Sequence, residues 1–132
     1  MKPKQQIDKV VWEDQFKIRP RRNASLKHEV IKLCLVLSLI EKFKKNLYWI
    51  RIYTEHTLNG GKICDVYFEN IKTNEIIAYE IQNKVSEDWL KETQNFYEKW
   101  DKMFFKTDWV LIEEKNFTED CEDIDNKIKE YI

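Results

Sequence analysis

Glycine and proline are nearly missing from this chain, with two of each in 132 residues. So few breakers leave little room for long irregular loops and predict a chain occupied mostly by helix and strand. Any apolar run near the roughly 18 residues of a membrane-spanning helix is also lacking. The opening Met1-Lys-Pro-Lys-Gln-Gln6 is not followed by the apolar core of a signal peptide. Together these absences predict an intracellular, cytoplasmic protein with no membrane partner. Histidine and cysteine are too sparse for zinc. Cys34, Cys64 and Cys121 are odd in number, contain no Cys-x-x-Cys pair, and complete no pattern with His28 and His56. Cys34 and Cys64 read as small buried apolar residues.

What is present is apolar and aromatic: 42% hydrophobic and 14% aromatic residues predict one packed domain, not a disordered chain. The formal net charge of −1 hides an asymmetry. Residues 1–24 carry seven basic residues (Lys2, Lys4, Lys9, Lys17, Arg19, Arg21 and Arg22) against three acids, while residues 113–132 carry eight acids against three lysines. The division is therefore a basic N-terminal arm over 1–24 and a single domain over 25–132. Two readings of the arm stand, a contact for a polyanion such as DNA, with Lys17, Arg19, Arg21 and Arg22 as its binding residues, or an ordinary solvated leader. Val10, Val11, Trp12, Phe16 and Ile18 predict that part of it packs on the domain.

Ser25 is a candidate N-cap for a helix running to about Lys45. Leu47 to His56 is β-rich and closes at Asn59-Gly60-Gly61. Lys62 to Phe68 and Ile76 to Gln82 read as two more strands, with a turn over Glu69 to Glu75. Ser86 caps a second helix, with Glu87 and Asp88 in the first turn where the helix dipole favours them. Its stripe of Trp89, Thr93, Phe96, Trp100, Met103 and Phe104 reads as core and not as a base-stacking platform. Asp108 to Glu113 is a fourth strand and Cys121 to Ile132 a terminal helix. The expected fold class is α/β, with a mixed four-stranded sheet flanked by helices.

A hairpin symmetric about Lys72-Thr73 puts Asp65 directly opposite Glu80. Like charges on opposed residues, about 5 Å apart, are destabilising, and a cation between them relieves the repulsion. Oxygen ligands of this kind suit Mg²⁺ or Mn²⁺. The first helix carries a second anomaly. Lys27, His28, Lys32, Ser38, Glu41 and Lys42 share one side of its wheel, leaving Glu29 on the far side among Leu33, Val36 and Ile40. An acid on an apolar face is costly unless paired or metal-bound. Otherwise Glu29, one turn in, complements the helix dipole and reaches solvent past the helix end.

This order of elements, with Asp65 on the second core strand and Glu80-Ile81-Gln82 on the third, resembles the PD-(D/E)XK nuclease superfamily over about residues 25–115. Gln82 stands where that family usually has lysine. A Glu-x-Gln version is found in competence-associated CoiA-like proteins and in some mobile-element and viral nucleases. Glu29 resembles the early-helix glutamate of archaeal Holliday-junction resolvases, and Gln94-Asn-Phe-Tyr97 resembles the Gln/Tyr motif of RecB-type nucleases. The resemblance implies a restriction-endonuclease-like α-β-β-β-α-β core. It also implies a metal-dependent endonuclease acting on DNA and, as in other small nucleases of this fold, a homodimer. Asp65, Glu80 and the Ile81 carbonyl would hold the metal, with Glu29 or Glu55 completing the site.

Gln82 projects on the same strand face as Glu80 and can orient water or a phosphate oxygen, but supplies no positive charge. Lys84 is the preferred substitute for the missing lysine, with Lys62 as the other. Glu55 reads either as a site acid or as an acid at a loop edge. The alternative function is a catalytically inactive nuclease-fold domain that binds nucleic acid or a protein partner.

Overall fold

The computed structural model describes Val10 and residues 12–132. Lys2, Lys4, Lys9 and Val11 of the basic arm lie outside the described residues. A short helix α1 (Trp12–Gln15) leads directly into a two-residue strand, β1 (Phe16–Lys17). Helix α2 (Leu26–Lys42) follows, then a 3₁₀ stretch (Lys44–Trp49) and the strands β2 (Ile50–Thr57), β3 (Ile63–Asn70) and β4 (Glu75–Gln82). Helix α3 (Glu87–Lys99), strand β5 (Lys106–Glu113) and helix α4 (Cys121–Ile128) complete the chain. None of the described helices is long and apolar enough to cross a membrane.

The sheet has five strands in the order β1-β2-β3-β4-β5, not the four expected. The extra strand comes from the segment assigned to the arm. Phe16 and Lys17 pair in parallel with Ile52 and Tyr53, and half-buried Phe16 packs against the core. The β2-β3-β4 meander is antiparallel, and β5 returns parallel to β4 after the α3 crossover. The β3–β4 turn is set locally. Asn70 Oδ1 accepts from the backbone N–H groups of Lys72 and Thr73, and Asn74 takes the left-handed φ of 58°. Side-chain capping of this kind is what Asn does in turns.

The two sheet faces bury different cores. Ile52, Val66, Phe68, Tyr79, Ile81 and Ile112 pack under α2 and α4, while Cys64, Tyr67, Ile76 and Ala78 pack under Tyr97 and Trp100 at the end of α3. The two expected caps are present, Ser25 accepting from His28 N–H and Ser86 from Trp89 N–H, and Asp120, not foreseen, caps α4 by accepting from Glu122 and Asp123 N–H. The side of α2 expected to be polar is corrected. His28, Lys32 and Ser38 are buried, and the leucines Leu33 and Leu37 are exposed instead. Met103 and Phe104 likewise leave the expected α3 stripe, because the helix ends at Lys99 and both are exposed beyond it. Cys64 is fully buried as expected, and Cys34 is only partly buried.

Candidate active site

Registers across the meander bring three acids to one level of the sheet. The β3–β4 ladder runs from Asn70–Glu75 to Val66–Tyr79, one step short of the expected Asp65–Glu80 pair. There the ladder stops, and Asp65 Oδ2 accepts from Ile81 N–H at 2.7 Å. On the other side, pairs Thr54–Val66 and His56–Cys64 flank Glu55 and Asp65. Glu55 itself adopts φ 50°, a left-handed conformation that costs a non-glycine residue about 1–2 kcal/mol. Such strain is found where surrounding structure holds a residue for function.

Asp65, Glu80 and Glu55 line one cleft of about 370 Å³, together with Gln82, Lys62 and Arg21. Pro20, Arg22, Ile63 and Trp89 complete its walls. The β2–β3 turn closes against α3 nearby. Gly60 has φ 103°, and a Cβ on it would sit 2.9 Å from the Phe96 ring, so only glycine fits without displacing that side chain. A second cavity, of about 430 Å³, lies between α2 and the C-terminal helix and holds none of these acids.

The three acids are held differently. Glu80 is 4% exposed and receives one hydrogen bond, from Tyr97 Oη at 2.6 Å. Burial pushes its pKa up to about 7; the Tyr97 hydrogen bond and the charge of Lys62 oppose that rise, and Asp65 adds to it. Tyr97 is fixed by stacking on Trp109 of β5 at 4.9 Å. Glu55 is raised by burial and then by Asp65, and its buried Oε1 makes no hydrogen bond, although Lys32 Nζ lies 3.7 Å away. Asp65 Oδ1 faces His28 Nε2 at 3.1 Å and the Arg21 guanidinium at 3.6 Å.

Behind this row, the first turn of α2 supplies a chain of alternating charge. His28 Nδ1 lies 2.9 Å from Glu29 Oε2, opposite its contact with Asp65. Both neighbours are carboxylates and accept only, so both ring nitrogens must donate, as only the imidazolium can. Burial works against that charge, but the hydrogen bonds to Asp65 and Glu29 outweigh it and raise the His28 pKa. Lys32, 1% exposed, donates to Glu29 Oε1 at 3.0 Å and to the Arg19 carbonyl at 2.9 Å. Glu29 also accepts from Arg21 N–H at 2.6 Å. Burial alone would raise the Glu29 pKa, and these donors turn it downward.

Glu29, partly exposed, is absent from the cleft lining and is tied to the site through His28 and Lys32. Gln82 lines the cleft, but its Nε2 donates to the Lys84 carbonyl at 3.0 Å. Lys84 is exposed and outside the cleft lining, whereas Lys62 is part of it. Lys17 and Arg19 border a neighbouring groove, and Arg21 and Arg22 the cleft itself. Sequence reasoning missed His28, Lys32 and Trp89 as site residues, and met Tyr97 only inside the Gln94-Asn-Phe-Tyr97 resemblance. Buried polar residues on a helix end carry no periodic signal distinct from a solvated face.

Among the described residues no three His, Cys, Asp or Glu side chains form a ready-made metal cage. The donor chemistry nevertheless fits a hard cation: oxygens only, one of them the buried Glu55 Oε1 without a hydrogen bond, and Glu80 with a single donor. Compared with known proteins, the chain matches no family model, no curated protein and no solved structure.

Proposed function

We propose that this chain is a metal-dependent nuclease that hydrolyses DNA phosphodiester bonds in the cleft of Asp65, Glu80 and Glu55. The observation that carries the reading is the convergence of three acids from three adjacent strands on one cleft whose walls hold Lys62, Arg21 and Arg22. Acids alone repel a phosphate, and cations alone need no buried carboxylates. The combination suits a site that holds a cation and a phosphodiester together. A restriction-endonuclease-like core and the pairing of two copies to cut two strands belong to the same proposal.

Asp65, Glu80 and the Ile81 carbonyl would hold Mg²⁺ or Mn²⁺, with Glu55 beside them. When bound, the ion supplies Lewis-acid polarisation of a phosphoryl oxygen and a lowered pKa for attacking water. The protein's own residues do the rest. His28 and the Ile81 N–H fix the Asp65 carboxylate from two directions, and Tyr97 fixes Glu80. Lys62 and Arg21 bring the positive charge that Gln82 lacks, and Gln82 can orient a water or a phosphate oxygen.

The second reading, a nuclease-like domain that binds without cutting, is favoured by one observation. Arg21 and His28 already stand against Asp65 at 3.6 and 3.1 Å and partly neutralise it. Incubating the protein with single-stranded, duplex and branched DNA, with and without Mg²⁺ or Mn²⁺, separates the two. Metal-dependent cleavage is expected. Binding of DNA with neither metal uptake nor cleavage selects the second reading.

A further inference from the structure

A second groove, of about 250 Å³, adjoins the cleft and shares Glu55 with it. Its basic residues, Lys17 and Arg19, come from the same segment that carries Arg21 and Arg22 to the cleft. The segment is built into the fold and does not trail from it. Lys17 pairs with Tyr53 in the sheet, and Arg19 is gripped through its backbone. Its N–H donates to Thr54 Oγ1, and its carbonyl accepts from Thr54 Oγ1 at 3.0 Å and Lys32 Nζ at 2.9 Å. The backbone is thus fixed while the Lys17 and Arg19 residues remain exposed. Lys17 lies 3.9 Å from Asp14, both about half exposed, a pair too loose and solvated to hold it. Glu55 borders both hollows, and Lys32 Nζ stands 3.7 Å behind its buried Oε1 as a counter-charge.

We propose that Lys17 and Arg19 form a phosphate track that leads a single DNA strand past Glu55 into the cleft, where Arg21 and Lys62 receive the next phosphates. Lys17, Arg19 and Arg21 stand at alternate positions of one chain segment, a single line of cations for a single backbone, whereas a duplex offers two. Half-buried Trp89 lines the cleft with Lys62 Nζ 5.8 Å over its ring, so an aromatic side chain and a cation stand together where an unpaired base would stack. Stacking of this kind, sequence-tolerant and combined with a basic groove, is how single strands are bound. The proposal rests on the nuclease reading for the position of the scissile phosphate, but the binding itself is independent of cleavage.

The test is fluorescence anisotropy with labelled oligo(dT) and a matched duplex, in EDTA, over a series of salt concentrations. The full chain is expected to bind the single strand more tightly than the duplex. The double variant Lys17→Ala/Arg19→Ala should weaken single-strand binding about tenfold. It should also reduce the log–log salt slope by about 1.4, because each lost contact to a single strand contributes about 0.7. The charge-keeping variant Lys17→Arg/Arg19→Lys should bind like the parent, which shows that a fold defect is not the cause. An alanine variant with unchanged affinity and slope, equal binding of duplex, or a parent protein that binds no oligonucleotide would overturn the track. Assays of the same proteins with Mn²⁺ separate this failure from that of the nuclease reading. Binding lost in the variant while the parent cleaves nothing removes the nuclease and keeps the track. Cleavage by the variant with unchanged KM removes the track and keeps the nuclease.

Discussion

Glu69 and Glu80 lie on neighbouring strands, 3% and 4% exposed, and yet they are opposites. Glu69 is saturated: Arg51 Nη1 meets Oε2, Tyr67 Oη donates to Oε1 at 2.8 Å, and Lys102 Nζ lies 3.4 Å from Oε1. These donors outweigh its burial and lower its pKa. Glu80 has one neutral donor and a pKa pushed up to about 7. A carboxylate fully supplied with donors has nothing left to bind and serves the fold. One buried beside a second acid, with a single hydrogen bond and an open cleft in front of it, keeps its unsatisfied charge for something else. The contrast separates a structural glutamate from a candidate functional one on physical grounds, without appeal to resemblance.

The sharpest way to break the comparison is to neutralise each acid in turn. Glu80→Gln should reduce metal-dependent cleavage about a thousandfold, the equivalent of roughly 4 kcal/mol of transition-state stabilisation. DNA binding should be equal or tighter, because the lost charge repels phosphate. Glu69→Gln should leave cleavage by the folded protein within about twofold of the parent. Equal losses in both variants, measured by single-turnover cleavage, would erase the distinction.

Stability against pH separates the same two groups in opposite windows. In the unfolded chain Glu80 loses its proton near its ordinary value of 4.5, while the folded state keeps it until about 7. The unfolded state therefore binds fewer protons across that window, and stability falls as pH rises through it, by an amount on the order of 3 kcal/mol. Below 4.5 that contribution is fully present. His28, its pKa raised, acts in the same sense, its contribution being lost as pH rises through the folded value. Glu69, its pKa lowered, contributes above 4.5 and loses that contribution as pH falls through its folded value. Urea unfolding at a series of pH values is expected to show the decline from pH 5 to 7 flattened in Glu80→Gln and retained in Glu69→Gln.

A smaller effect is expected on stability at neutral pH. Glu69→Gln leaves Arg51 and the Tyr67 hydroxyl poorly partnered and should cost about 2 kcal/mol, the range of hydrogen bonds to charged groups. Glu80→Gln removes a buried charge and its repulsion from Asp65, so its urea midpoint at pH 8 should stay the same or rise.

The sequence brought the cleft acids forward and concealed their support. That Asp65 and Glu80 come to one cleft was legible because strand alternation and a local turn, closed by Asn70 and Asn74, fix the register within a few residues. The same arithmetic across β2 would have aligned Glu55, but its left-handed φ has no sequence signal in a non-glycine residue. On α2 the wheel placed Glu41 and Lys42 in solvent and Val36 in the core correctly, but misplaced His28, Lys32 and Ser38, which are buried, and Leu33, which is exposed. His28 and Lys32 are buried because Asp65, Glu29 and the Arg19 carbonyl, distant in sequence, satisfy them. Such satisfaction is tertiary and does not show in periodicity. The two-residue β1 was missed for the same reason, since its partner strand and not its own pattern makes it a strand.

The finest cut concerns which lysine replaces the one missing beside Glu80. Lys84 follows Gln82 by two residues and is the natural choice on strand alternation, yet it is exposed outside the cleft, and its carbonyl holds the Gln82 amide at 3.0 Å. Lys62 lines the cleft, and its charge already acts on Glu80. An ammonium that faces the reacting phosphate lowers the barrier by offsetting charge that develops in the transition state, while a solvated one on the far side is screened. Lys62→Ala should therefore lower kcat/KM about tenfold, or roughly 1.4 kcal/mol. Lys84→Ala should change it less than about twofold, with both proteins melting like the parent. Lys62→Arg should recover most of the loss, because the charge and not the shape is required. The reverse ranking of Lys62 and Lys84, measured on one oligonucleotide at one salt concentration, would place the phosphate on the other side of Gln82 and detach Glu80 from the role assigned to it.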